Sequence, residues 1–348
     1  MKKSNRTTRK PIKKSSRTTR RLRSAAARRS HLRGFAWRVA LPFIAIASLI
    51  AIGAAALLTS RTANAGSNRT RPDVATIVFV EADLPTRAAE SDEKERGSGC
   101  AAAKAESIWK EAERLIASYW TRAVGAPSGA RWSLWMYALN GAGAGNELVR
   151  IGPNELADIV KARGVTRTGR QQDGWKKYAE AAKAKYEKSF EPHPRQDIVG
   201  TVPFLLTNRN KFISENVGVV KVVYISDMFH YNCDAASIDP EAGYSNFLSL
   251  DAVERVQRQI DENALYRHDG ELTSVSVPIE PFVDKNGDRL FEVYSVAMPR
   301  LACESVPAAE VQRIMATGQI QKTWERLFGK MNAKTVLLNV DTDRVFTP

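Results

Sequence analysis

Two apolar runs of this chain each end on acidic residues. Val219–Ser226, interrupted by a single lysine, is followed at once by Asp227, and Ala75–Val80 is followed by Glu81 and Asp83. An apolar run of this length, without a 3.6-residue stripe, is typical of a strand buried on both faces. Ligands bind at the carboxyl edge of open α/β sheets. We therefore expect two adjacent strands that bring these acids together at one edge.

Longer segments follow the helical period. The helix predicted over 101–123 has an apolar stripe made of Ile108, Ala112, Leu115, Ile116 and Tyr119. Further helices are predicted over 173–190, 197–212, 250–263 and 307–329, and further strands over 131–139, 272–282, 289–297 and 335–340. The strands over 272–282 and 289–297 are predicted to form a hairpin. The alternation of strands and helices predicts an α/β fold with a doubly wound, mostly parallel sheet.

The positive charge of the chain is concentrated in its first residues. The formal net charge of the 348 residues is +14, and residues 1–38 alone contain fifteen Lys or Arg and no Asp or Glu. The remainder is therefore close to neutral, which argues against a nucleic-acid-binding surface on the folded domain. Residues 1–34 consist largely of Arg, Lys, Ser and Thr, a composition that predicts a disordered cytoplasmic tail.

A transmembrane helix is predicted over 35–59. Val39–Leu58 are twenty residues without a charge, and at a rise of about 1.5 Å per residue they match a hydrocarbon core of about 30 Å. Basic residues dominate before this segment, so the positive-inside rule orients the N-terminus to the cytoplasm. Residues 60–72 are then a linker, and 73–348 form the exported domain. Ala63-Asn64-Ala65 fits a signal-peptidase site, so cleavage after Ala65 is the alternative to a retained signal-anchor.

Three cysteines, Cys100, Cys233 and Cys303, lie in the predicted exported domain. An oxidising compartment permits one disulfide among them, and all three pairings stay open. Their spacing contains no C-x-x-C or Cys/His ligand pattern, so a zinc site is not expected.

The end of the second apolar run resembles a motif of the von Willebrand factor type A family. In that family one apolar strand ends in D-x-S-x-S, a later loop supplies a threonine, and another strand ends in I-S-D-G or similar; these residues form the metal-ion-dependent adhesion site. Here Ile225–Met228 reads ISDM, and Gly200–Pro203 reads GTVP just before a helix. The resemblance covers roughly residues 73–345. It implies a von Willebrand factor type A-like domain with a binding site at the carboxyl edge of its sheet.

The first motif departs from the family pattern. Glu81 stands where the leading aspartate is expected, and Asp83 and Pro85 replace the serines. The residues that the resemblance carries over as the metal or partner-binding edge are Glu81, Asp83, Thr201 and Asp227. Oxygen donors of this kind fit a hard cation, Mg²⁺ or Mn²⁺, but proline has no side-chain oxygen to contribute. A degenerate, metal-free site is therefore the alternative.

The sequence contains no recognisable catalytic pattern. His230 follows Asp227 by three residues, but no nucleophile stands at a spacing that would pair with it. No phosphate-binding glycine motif identifies a small-molecule substrate. We therefore interpret the chain as a non-enzymatic protein-binding or scaffold protein of a bacterial inner membrane. Its main domain is predicted to be periplasmic or extracellular, with a protein partner on the carboxyl edge.

Two alternatives stay open at this point. The first is an exported metal-assisted hydrolase that uses Glu81, Asp83 and Asp227, because clustered acids at one sheet edge suit such chemistry. The second is a membrane tether whose Arg-rich tail carries the function.

Overall fold

The structure is a computed structural model. It describes residues 73–82, 94–126, 131–141, 143–161, 169, 172–190, 195–213, 217–232, 247, 249–268, 274–283, 290–296, 298 and 308–346. All of them belong to a compact unit, Thr70–Pro348. The predicted tail, transmembrane helix and linker (1–34, 35–59 and 60–72) lie outside the described residues. Within the described part of the chain, no helix combines the length and the apolar character that a membrane span requires.

The described part of the chain contains both strands and helices, interspersed along its length. The strands are β1 (Asp73–Glu81), β2 (Trp132–Asn140), β3 (Gly143–Ile151), β4 (Arg195–Gln196), β5 (Val217–Ile225), β6 (Tyr231–Asn232), β7 (Leu265–His268), β8 (Ser274–Val277), β9 (Leu290–Val296) and β10 (Thr335–Val340). The α-helices are α1 (Lys94–Val124), α2 (Pro153–Lys161), α3 (Lys176–Tyr186), α4 (Thr201–Thr207), α5 (Arg209–Phe212), α6 (Leu250–Asp261), α7 (Ala308–Ala316) and α8 (Gln319–Lys330). A 3₁₀ helix, Thr342–Phe346, follows β10.

The central sheet has six strands among the described residues, in the order β10-β9-β5-β1-β2-β3. β3 is antiparallel to β2, and every other neighbouring pair is parallel. Numbered by their own succession along the chain, these strands follow the order 3-2-1-4-5-6 of a doubly wound sheet. The prediction of a mixed α/β fold with a mostly parallel sheet is thus confirmed. The strand order reverses between β1 and β5, the two strands that the apolar runs identify.

Helices cover both faces of this sheet. One face packs against α1 and α3 through residues such as Trp120 and Tyr186. The other face packs against α4, α6 and α8 through Val202, Val256 and Trp324. Because β1 is covered from both sides, eight of its nine residues are buried. This burial explains why the strand is a continuous apolar run instead of an alternating one.

Three expectations about secondary structure are wrong. The strands predicted over 272–282 and 289–297 do not form a hairpin, because β8 pairs with β7 while β9 lies between β5 and β10. The helix predicted over 197–212 begins only at Thr201, and a second helix, α5, completes it. The helix predicted over 307–329 is divided into α7 and α8 at Gly318, whose φ of +66° ends the first helical segment.

Candidate functional site at the carboxyl edge of the sheet

Glu81 and Asp227 lie side by side at the carboxyl edge. β1 and β5 pair in parallel with Val80 opposite Ile225, so both strands end at the same level of the sheet. The backbone N of Asp227 lies 3.4 Å from Glu81 Oε2 and donates a hydrogen bond to it. Glu81 is fully buried, and Asp227 is buried as well. The two predicted acids are therefore neighbours, and they lie below the surface of the edge.

The carboxylate of Glu81 is surrounded by hydrogen-bond donors. Lys104, from α1, forms an ion pair with Glu81 Oε1 through its ammonium group. Gln196 Nε2 donates to Glu81 Oε2 at 3.1 Å. The hydroxyl of Tyr186, from α3, donates to the main-chain carbonyl of Glu81 at 2.9 Å. Elements from three separate parts of the chain thus converge on this one residue.

A small two-stranded sheet holds Gln196 in position. β4 pairs with β6, with Gln196 opposite Tyr231, directly beyond the end of β5. Gln196 Nε2 also donates to Ser226 Oγ, and Ser226 Oγ in turn accepts from Met228 N at 2.9 Å. The network therefore connects the ends of β1 and β5 through the side chain of one glutamine.

The turn after β5 has an unusual backbone. Asp227 Oδ1 accepts from Phe229 N at 2.9 Å, and Met228 between them has a φ of +63°. Glycine adopts this region without steric cost, and it is rare for a residue with a side chain. Trp324 Nε1, from α8, donates to Met228 O at 2.9 Å, and the Met228 side chain is buried. Packing on α8 therefore stabilises a conformation that the local sequence disfavours.

A second, partly buried ion pair involves the loop between β4 and α4. Asp197 Oδ2 accepts from Arg267 Nη1 at 2.8 Å, and Asp197 Oδ1 accepts from Gly200 N at 2.7 Å. A Cβ added at Gly200 would lie 2.3 Å from Asp197 Oδ2 and 2.7 Å from Arg267 Nη1. A Cβ at Gly143, which has a φ of +82°, would lie 2.7 Å from Gly200 C. The backbone of Gly200 therefore leaves no room for a Cβ at Gly143, where the loop meets the start of β3, whereas a Cβ at Gly200 would require the Asp197 and Arg267 side chains to move.

His230 is enclosed by the same region. Its Nδ1 lies 3.8 Å from Asp197 Oδ1, and its ring contacts Phe247 and Trp324 edge-on. The residue is only 4% exposed. This placement is typical of a histidine that packs and pairs inside the domain, because a general base must reach its substrate.

Thr201, the candidate from the threonine loop, is also fully buried. Its hydroxyl donates to Ile198 O at 2.7 Å and shares a 2.7 Å hydrogen bond with the hydroxyl of Tyr224 on β5. Burial raises the pKa of Tyr224 above its usual range. These two partners of the threonine hydroxyl are protein groups, and they stabilise the start of α4.

The remaining predicted site residues are one acid and three cysteines. Asp83, Cys233 and Cys303 lie outside the described residues, as does the side chain of Cys100, so the metal ligand and the disulfide stay predictions. Among the residues that the structure does describe, no three His, Cys, Asp or Glu side chains form a group able to hold a metal ion. The prediction of Mg²⁺ or Mn²⁺ therefore depends on the part of the edge that includes Asp83.

The sequence interpretation missed three residues of this network: Lys104, Gln196 and Asp197. A signal for Lys104 was present, because it lies one helical turn before Ile108 on the apolar stripe of α1. A charged residue on a buried stripe predicts a buried partner of opposite charge. Gln196 and Asp197 had no such signal, since they precede a helix in a short polar segment.

Comparisons with known proteins identify no family for this chain, because no protein-family model and no curated protein matches it. The chain is similar to the crystal structure of an aerotolerance-related membrane protein from Bacteroides fragilis NCTC 9343 with multiple mutations to serines. The identity is 9%, the match covers 78% of this chain and 94% of that chain, and the TM-score is 0.28. At this TM-score, the fold assignment depends on the sheet topology itself.

Proposed function

We propose that this chain is a non-enzymatic protein-binding or scaffold protein, anchored in a bacterial inner membrane by residues 35–59. Its exported domain is von Willebrand factor type A-like, and a protein partner docks on the carboxyl edge beside β1 and β5. The observation that carries this proposal is the adjacency of Glu81 and Asp227 at the point where the strand order reverses. Open α/β sheets bind their ligands at that point.

The topology supports the type A-like assignment. The sheet is doubly wound, its strand order is 3-2-1-4-5-6, and the ISDM motif lies at the end of β5. Met228 stands where the I-S-D-G form of the motif has glycine, and it adopts a positive φ, a region that glycine favours. The backbone of this turn would therefore suit glycine, although the residue here is methionine.

The chemistry of the edge supports binding over catalysis. The described polar groups pair with one another: Glu81 with Lys104, Asp197 with Arg267, and Asp227 with the backbone of Phe229. Side chains that are paired in this way fix the shape of the edge, and they leave few hydrogen-bonding positions for a substrate. The alternative, a metal-assisted hydrolase, requires carboxylate oxygens that are open to a metal and its water. We find no observation in the described residues that favours it.

Site-specific photo-crosslinking tests the proposal on the full-length chain in its native membranes. The crosslinker replaces Asp251, which is exposed in the first turn of α6. This turn lies beside the carboxyl edge, because Phe247 N donates to His230 O at 2.8 Å and Ser249 caps the helix. We expect a light-dependent adduct with a distinct protein, recovered in the membrane fraction.

The matched control places the crosslinker at Lys334, which is exposed at the opposite edge, before β10. We expect no adduct there. Equal adducts at both positions, or none at Asp251, would contradict docking at the carboxyl edge. Recovery of the chain in the soluble fraction would contradict the membrane anchor, independently of the crosslinking result.

A further inference from the structure

Lys104 is a buried lysine in an otherwise apolar position. It lies on the stripe of α1 that packs on the sheet, it is 5% exposed, and its ammonium contacts Glu81 Oε1. Burial of an ammonium group is unfavourable unless an anion compensates for the lost hydration. A buried carboxylate has the same requirement for a cation. Each residue of this pair therefore satisfies the need of the other.

The surroundings of Glu81 do not fit a divalent cation. A metal requires the lone pairs of its carboxylate ligand, and Mg²⁺ demands near-octahedral oxygen coordination. Here Lys104 takes Oε1, while the amide of Gln196 and the backbone N of Asp227 donate to Oε2. Donors thus approach both oxygens of the residue that stands for the leading aspartate of the family motif. A metal at this carboxylate would have to displace the ammonium group.

We propose that Lys104 is the resident cation of this edge. Its ammonium group takes the place of the divalent metal at Glu81, and the positive charge is supplied by the chain itself. The edge is consequently always in its cation-filled state, and its conformation does not respond to the concentration of Mg²⁺ or Mn²⁺. Docking at this edge would then be independent of metal.

This inference rests on the type A-like site of the proposed function but not on docking by a partner. The two can therefore fail separately. Loss of the crosslink would leave the cation role of Lys104 untouched, and metal binding at Glu81 would leave docking untouched.

Thermal unfolding of the purified full-length chain, followed by tryptophan fluorescence, tests the proposal. The probes are MgCl₂ and MnCl₂ at millimolar concentration, compared with NaCl at equal ionic strength. A metal that prefers the folded state raises the unfolding temperature. We expect no metal-dependent shift for the wild-type chain.

The decisive variant is Lys104→Ala, which removes the ammonium and leaves space beside the Glu81 carboxylate. We expect it to unfold several degrees lower than the wild type and to regain much of that loss with Mn²⁺. Lys104→Met is the matched control, because it removes the charge but fills the space. It should be destabilised without any response to metal. The double variant Glu81→Gln with Lys104→Ala should also lack a response, because the carboxylate is gone.

Two results would overturn the proposal. One is stabilisation of the wild-type chain by metal, because the cation position would then be open. The other is a Lys104→Ala variant that folds but does not respond to metal, because the ammonium would not lie where a metal can bind. If Lys104→Ala is unfolded without metal, the readout is the folded fraction after refolding with Mn²⁺. No recovery would overturn the proposal equally.

Discussion

Two lysine–glutamate pairs of the same chemistry connect neighbouring elements of this domain at different depths. The side chains of Lys104 and Glu81 are 7% and 1% exposed, and those of Lys221 and Glu292 are 12% and 13% exposed. The first pair joins α1 to the end of β1. The second lies opposite on β5 and β9, where Lys221 also donates to Val345 O at 2.8 Å.

The difference in depth gives the two pairs different roles. The pair at Glu81 has almost no contact with water, so each charge depends on the other for its stability. The pair at Lys221 keeps some solvent contact, and its lysine attaches the C-terminal 3₁₀ helix to the sheet. This second role explains the only charge within the apolar run of β5. A lysine within a buried strand or helix stripe therefore indicates an ion pair. How deeply that pair is buried determines how much stability is lost when the lysine is removed.

The largest expected effect is at the deeper pair. Lys104→Met should lower the free energy of unfolding by about 3–5 kcal/mol, because it leaves a buried carboxylate without its counter-charge. Urea unfolding measures this loss. The double variant Glu81→Gln with Lys104→Met should recover most of the lost stability. A loss of unfolding free energy below about 1 kcal/mol is the size found for solvent-exposed ion pairs. It would contradict the difference proposed between the Lys104 and Lys221 pairs.

A smaller effect is expected at the shallower pair. Lys221→Met should cost about 1.5–3 kcal/mol, the range for hydrogen bonds to charged groups, because Glu292 and Val345 O both lose a donor. The matched control is Lys176→Met. Lys176 lies 2.8 Å from Asp173, and the two side chains are 55% and 61% exposed. That variant should lose clearly less stability than Lys221→Met, because solvent screens an exposed ion pair. Equal losses of unfolding free energy in the two variants would contradict the idea that burial determines the contribution of an ion pair to stability.

The smallest effect concerns alkaline pH. Burial raises the pKa of Tyr224 and of Tyr294, and the hydrogen bond to Glu292 adds to the rise for Tyr294. The folded state therefore holds these protons more tightly than the unfolded state, whose tyrosines titrate near about pH 10. This contribution to stability is complete below that pH and is lost as the pH rises above it.

Tyr224→Phe should accordingly make the decline of unfolding free energy above about pH 10 less steep. Urea unfolding at a series of alkaline pH values measures the slope. The wild-type chain, with both tyrosines intact, serves as the reference. An unchanged slope in Tyr224→Phe would mean that Tyr224 does not titrate in this range.

Some features of the site were accessible to sequence reasoning. The apolar runs predicted β1 and β5, and the acids at their ends predicted which edge would be polar. These predictions work because burial on both faces leaves a local record, namely an unbroken apolar segment. The apolar stripe of α1 was equally predictable from the sequence, and Lys104 could have been recognised as the charged residue within it.

Other features depended on contacts that no local pattern records. Gln196 contacts Glu81 across 115 residues, and Arg267 contacts Asp197 across 70. The sequence predicts that β9 forms a hairpin with β8, but in the sheet β9 pairs with β5 and β10. Pairing partners and ion pairs over such separations follow from topology, which periodicity does not specify.

The sequence by itself determined the class of the fold and the position of Glu81 and Asp227 at the ends of two buried strands, because apolar runs and helical stripes are local properties of the chain. Only the tertiary structure decided what surrounds Glu81. The strand order brings β5 beside β1, α1 then carries Lys104 to the same edge, and β4 brings Gln196 above both. A buried carboxylate takes its character from its neighbours, and those neighbours come from distant parts of the chain.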